Sequence, residues 1–94
     1  MRIRVIYLGV IRHKVGKSED EYHLPEGSLL KDLLIKVAEK YPSIKDVIGG
    51  LSENSVDPTL IATLNGISIK ISESDNILLR DRDTVTLMTV IGGG

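Results

Sequence analysis

The chain has 94 residues, a mass of 10.3 kDa, no cysteine and a formal net charge of −1 at pH 7, which is one small domain's worth of sequence and excludes a two-lobed enzyme with a cleft between domains. Hydrophobic residues at 41 % and charged residues at 27 % are the balance of an ordinary globular chain, and no run approaches the roughly 18 apolar residues of a membrane span. The charge balance favours a protein or small-molecule partner over nucleic acid or a membrane surface, and the lack of cysteine removes disulfides, thiolate metal sites, cysteine nucleophiles and cysteine persulfides.

From Arg2 to Leu8 the residues Ile3, Val5 and Tyr7 alternate with Arg2 and Arg4, the period of two that predicts a β-strand. Because the opening runs straight into strand sequence without the unbroken apolar stretch of a signal peptide, a cytoplasmic location is expected. Gly9 weakens the pattern, and Arg12-His13-Lys14 with Gly16-Lys17-Ser18 predicts a turn that returns through Glu21-Tyr22-His23-Leu24 as an antiparallel hairpin partner. Pro25-Glu26-Gly27-Ser28 reads as a turn whose Ser28 caps a helix. Leu29, Leu30, Leu33, Leu34, Val37, Ala38 and Tyr41 form its apolar face, and Pro42 ends it.

Residues Ser43 to Pro58 read as a surface loop with one short helical turn over Ile44 to Ile48. Leu60 to Leu64 is a strand closed by the turn dipeptide Asn65-Gly66, and Ile67, Ile69 and Ile71 alternate as a short strand. After a turn at Asp81-Arg82-Asp83, the β-branched run Thr84 to Val90 predicts a last strand with Val85 and Leu87 on one face. The element order gives an α+β fold, a mixed sheet with one main helix packed across it and the first and last strands parallel at its centre. The β-grasp topology of ubiquitin fits that description. The predicted organisation is a domain over 1–90 followed by a flexible glycine tail over 91–94.

Metal spacing is absent around His13 and His23, which read as surface histidines of the hairpin. No G-x-S-x-G elbow occurs, Gly49-Gly50 lacks the Lys-Ser or Lys-Thr of a phosphate loop, and Glu73, Asp81 and Asp83 read as turn and surface carboxylates. The unusual feature is Ile91-Gly92-Gly93-Gly94. An arm of residues without Cβ atoms can enter a channel too narrow for other side chains, against the plainer reading of a frayed terminus.

Taken in order, Ile3-Arg4-Val5-Ile6-Tyr7-Leu8-Gly9, Val15-Gly16-Lys17, Leu24-Pro25-Glu26-Gly27-Ser28-Leu29, Leu64-Asn65-Gly66, Leu79-Arg80-Asp81-Arg82-Asp83-Thr84-Val85 and Gly93-Gly94 resemble the MoaD and ThiS type of ubiquitin-like sulfur carriers, the family that includes the molybdopterin synthase small subunit. The resemblance implies that the carboxylate of Gly94 is adenylated by a MoeB/ThiF-like activating enzyme using ATP and magnesium, converted to a thiocarboxylate, and presented to a MoaE-like large subunit that performs the catalytic step. On this reading the chain is a co-substrate rather than an enzyme alone and binds no cofactor or metal itself. Its tail, Ile91, Gly92, Gly93 and Gly94, enters the large subunit. Sulfur donation to thiamine thiazole synthesis or tRNA thiolation, and attachment to proteins as a ubiquitin-like modifier, are the alternatives within the same resemblance; a non-covalent β-grasp interaction module is the alternative outside it.

If Val85 and Leu87 face the helix, Met88 and Val90 lie on the opposite face of the sheet, where Ile6 and Leu8 can join them. Such a patch is expected to dock the activating enzyme and the acceptor, because a tail alone supplies little specific affinity. Two other covers fit the same face, the Ser43 to Pro58 loop and a second copy of the chain.

Overall fold

In a computed structural model of the protein, which describes residues 1–45 and 60–89, strand β1 (Arg2–Tyr7) buries Ile3, Val5 and Tyr7 on one face and turns Arg2 and Arg4 outward. The sequence pattern predicts a simple turn after this strand, but the chain forms helix α1 (Gly9–Val15) instead. The reason lies in apolar spacing: Ile11 is buried and Val15 packs against the same core one helical turn later. Gly16 then ends the helix in the left-handed region, at φ 80°, with its N–H donating to the Arg12 carbonyl at 2.8 Å.

Strand β2 (Glu19–His23) pairs antiparallel with β1, setting Val5 opposite Asp20 and Ile3 opposite Tyr22. Its outer face carries Glu19 and Glu21, which bind Arg4 at 2.6 Å and Arg2 at 3.0 Å. Charges at an edge strand discourage edge-to-edge association more than they stabilise the fold. Helix α2 (Leu30–Lys40) presents Leu30, Leu33, Leu34 and Val37 to the sheet. Ser28 does not cap it: the Ser28 hydroxyl donates to the Pro25 carbonyl at 2.7 Å, and Asp32 holds the helix entrance by accepting from the Leu29 N–H at 2.8 Å. A 3-10 turn at Pro42–Ile44 follows, with Ile44 buried. The predicted loop and helical turn beyond Lys45 fall mostly outside the described residues.

Strands β3 (Leu60–Leu64) and β4 (Ile67–Ile69) form the second hairpin, and Asn65 takes the φ of 51° that its turn requires. Ile71, expected in the strand, instead opens a 3-10 helix over Ile71–Asn76 and is buried there. Strand β5 (Thr84–Thr89) closes the five-stranded sheet in the order β2-β1-β5-β3-β4, parallel to β1 and antiparallel to β3. This is the β-grasp arrangement expected from the sequence, with the first and last strands adjacent at the centre. Asp81 and Asp83 act in the preceding turn, accepting from the N–H groups of Arg2 and Arg80, each at 2.8 Å.

Among the described residues, one charged side chain is buried against this core. Asp20, with its side chain 5 % exposed, accepts from the hydroxyls of Tyr7 and Tyr41 and from the ammonium groups of Lys17 and Lys40. Tyr22 joins through the Tyr7 hydroxyl at 3.2 Å, so all three tyrosines of the chain converge here. Burial alone pushes the Asp20 carboxyl up, but the bonds from Tyr41, Lys17, Tyr7 and Lys40 outweigh it and hold the group down at about 2. Tyr41 is pushed up to about 12, first by burial and then by its bond to Asp20. A carboxyl held below its unfolded value stabilises the fold above that unfolded value and loses the contribution as pH falls through the folded one. Urea unfolding between about pH 7 and about pH 2 is expected to lose about 2 kcal/mol at this site, most of it below about pH 4. Asp20→Asn is expected to remove about 2 to 3 kcal/mol at neutral pH. With no Trp or Phe in the chain, near-ultraviolet circular dichroism reads this cluster directly.

Candidate functional site

Strand β5 is the last element among the described residues, and its C-terminal end is bordered by β1, β3 and α1. Alternation along β5 buries Val85 and Leu87 beneath α2 and leaves Thr84, Thr86 and Met88 on the opposite face. The register places Ile61 of β3 opposite Met88, and Thr63 of β3 and Ile6 of β1 opposite Thr86. Leu8 keeps extended backbone beyond β1, at φ −125° and ψ 155°. Its N–H donates to the Leu87 carbonyl at 3.0 Å, which carries the parallel register one residue further and sets Leu8 level with Met88.

The result is a cross-strand row of Leu8, Met88 and Ile61 with Ile6 one row behind. Leu8 is 39 % exposed, and Ile6, Met88 and Ile61 are half-buried. Of the residues singled out for partner binding, the structure therefore brings Ile6, Leu8 and Met88 together. Val90, Ile91, Gly92, Gly93 and Gly94 lie outside the described residues. Ile61 was not anticipated; its signal was the register of β3 against β5, since burial of Ala62 turns its neighbour to the other face.

Helix α1 adds a second wall to this end of the sheet. A Cβ at Gly9 would come within 3.9 Å of the Thr89 carbonyl, so the start of α1 flanks the last described residue of β5. Gly9 itself sits at φ 59°, where a side chain is strained whatever the space. The outer face of α1 carries Arg12 and His13 and leads to Lys17, and all three are exposed. His13 and His23 stand apart on the surface, and among the described residues no three His, Cys, Asp or Glu side chains cluster as metal ligands would. No helix among the described residues is long and apolar enough to cross a membrane.

Nothing in this arrangement supplies a nucleophile with an adjacent base. What it supplies is a rigid platform: a strand locked between two neighbours, an apolar row on one side of its end and a basic helix on the other. Such a platform can present a chain terminus and dock a protein.

The family model described as the ThiS family matches residues 5–94. Over all 94 residues, and the whole of the relative, the chain is 27 % identical to the molybdopterin synthase sulfur carrier subunit of Chlamydomonas reinhardtii. Among solved structures, it resembles a putative molybdopterin converting factor subunit 1 from Pyrococcus furiosus, with 26 % identity, a TM-score of 0.75, and coverage of 97 % of this chain and 99 % of that one. It equally resembles the small archaeal modifier protein 1 of Methanosarcina acetivorans, with 26 % identity, a TM-score of 0.78, and coverage of 99 % and 96 %.

The two faces of β5 separate by mutation at neighbouring positions. Leu87→Ala is expected to lower the unfolding free energy by about 3 kcal/mol through the cavity it leaves. Met88→Ala is expected to cost about 1 kcal/mol, less than Leu87→Ala, because Met88 is only partly buried and its loss leaves no closed cavity. Urea denaturation followed by circular dichroism measures both.

Proposed function

Since this chain belongs to the ThiS family, we propose that it is a sulfur carrier of the molybdopterin synthase small-subunit type, activated at the carboxylate of Gly94. The observation that carries the reading is the reach of the family match, which extends through the last glycine, together with a relative named as a sulfur carrier subunit that aligns over its whole length. The platform geometry supports it, since the apolar row and α1 both border the end of β5.

The chemistry follows from the weakness of a carboxylate as an electrophile. Attack of a Gly94 carboxylate oxygen on the α-phosphorus of ATP, in a MoeB/ThiF-like enzyme that supplies magnesium, releases pyrophosphate and forms a mixed anhydride with AMP as a good leaving group. A sulfur nucleophile then adds to the activated carbonyl, AMP departs, and sulfur remains on the main-chain terminus. The chain needs no cysteine for this, and it has none. A MoaE-like large subunit then takes the tail and holds the pterin precursor that receives the sulfur. The words "subunit" and "subunit 1" in the names of the relatives support a larger assembly. The proposed location is the cytoplasm, where ATP and both partners would be found.

Attachment to other proteins is the second reading, favoured by the likeness to a small archaeal modifier protein at an identity equal to that of the converting-factor subunit. The two predict different products. Intact-mass analysis of the chain from its native cells is expected to show a gain of about 16 Da, placed at Gly94 by fragmentation, where one oxygen has become sulfur. Adducts joined through an isopeptide bond, surviving denaturation and lost on deletion of Gly93-Gly94, would establish the modifier reading instead. Docking through the apolar row has its own test: Leu8→Asp is expected to weaken capture of the large subunit by about tenfold or more, with the circular dichroism spectrum unchanged.

A further inference from the structure

Helix α1 and the segment after it carry a concentration of positive charge that the apolar row does not explain. From Gly9 to Ser18 the chain has Arg12, His13, Lys14 and Lys17 and no Asp or Glu, although its net charge is −1. Helical spacing divides these residues by face. Ile11 and Val15 turn inward, while Gly9, Arg12, His13, Gly16 and Lys17 follow the outer stripe. With Ser18, that stripe lines a shallow depression of about 410 Å³. Its floor stays open because two members are glycine, and a Cβ at Gly16 would meet nothing within 4 Å.

Exposed cations on β1 and α2 lie beside acidic side chains. Arg2 and Arg4 on the open sheet face pair with Glu21 and Glu19, and Lys31 and Lys36 on α2 share their surface with Asp32 and Glu39. Among the described residues, Lys17 alone of the α1 group joins an ion pair, reaching inward to Asp20 at 3.0 Å. The helix dipole favours cations in the last turn, where Arg12, His13 and Lys14 stand, but it does not account for Arg12, His13 and Lys17 lining one depression. The position is also specific, since the start of α1 flanks Thr89.

We propose that the outer face of α1 is a docking surface for acidic side chains at the mouth of the site that adenylates Gly94, with Arg12 as its principal contact. This rests on the proposed carrier function and adds to it the chemistry of the partner's rim. The adenylating enzyme is the occupant because activation of the terminus is common to the carrier and modifier readings, and a protein that draws in the tail must close over the surface beside Thr89. A protein is favoured over nucleic acid because the stripe is one short helix with no Phe, Tyr or Trp on which bases could stack, in a chain without net positive charge. Guanidinium and carboxylate groups pair in a planar fork, and charges at a rim act mainly on encounter and register.

The test uses the full-length chain and its own cell's MoeB/ThiF-like enzyme, following ATP–pyrophosphate exchange against chain concentration. Arg12→Glu is expected to raise KM for the chain by about tenfold with kcat retained, and Arg12→Lys to return it to within about threefold of wild type. For the unaltered chain, KM is expected to rise between about 50 and about 300 mM salt, and Arg12→Glu to flatten that dependence. The salt series needs no variant and so stands even if one fails to fold. Equal KM in all three proteins with no salt dependence overturns the inference and leaves the carrier function in place. No exchange with the unaltered chain and no thiocarboxylate in native cells overturns both. Binding of bulk transfer RNA that is lost in Arg12→Glu, with KM unchanged, overturns it in favour of a nucleic-acid surface.

Discussion

The parallel pairing of β1 with β5 is the constraint from which the rest of the molecule follows. Two parallel strands cannot be joined by a tight turn, and here they are the first and last of the chain, so everything between them must leave the sheet centre and return. Helix α2 makes the main crossover and covers one face with Leu30, Leu33, Leu34 and Val37. Strands β2 and β3 then take the places beside β1 and β5, and β4 forms the edge beyond β3. The final strand is thereby gripped on both sides by ladder hydrogen bonds, and the residues after it start from a fixed point.

A second constraint is polar. Asp20 accepts from two tyrosine hydroxyls and two lysine ammonium groups, and the third tyrosine joins through Tyr7, so that β1, β2, α2 and the segments that flank them meet at one carboxylate. A buried carboxylate is costly unless its lone pairs are filled. Once filled, it fixes how the elements meet, because a small slide of α2 along the sheet would break the Tyr41 and Lys40 bonds together. The cluster also holds Lys17 just beyond α1, and so links the core to the basic face beside Thr89.

Sequence reading found the strands and the main helix because each has an unbroken apolar period. It failed where two signals competed. At Gly9 to Val15 a run of basic residues and glycines suggested a turn, while Ile11 and Val15 at helical spacing were the residues that folding could bury. At Ser28 a good capping residue was present, but its hydroxyl found the Pro25 carbonyl first and Asp32 held the helix entrance instead. At Ile71 the alternating isoleucines continued past the end of the sheet, and the chain turned to bury that side chain in a 3-10 helix. In each case the local preference was real, and a longer-range burial or hydrogen bond was worth more.

The order of the strands and the main helix, the parallel centre, the inward faces of β1 and β5 and the glycine tail are properties of the amino-acid sequence, since periodicity and residue type set which side of an element can be buried. The sequence also placed Ile6, Leu8 and Met88 on one face, because alternation along a strand admits no other choice. Tertiary structure alone decided that Ile61 completes their row, that Asp20 has three tyrosines around it, and that α1 stands beside Thr89. Those facts depend on register between strands far apart in the chain, and register is set by the packed core as a whole rather than by any segment that a local pattern can describe.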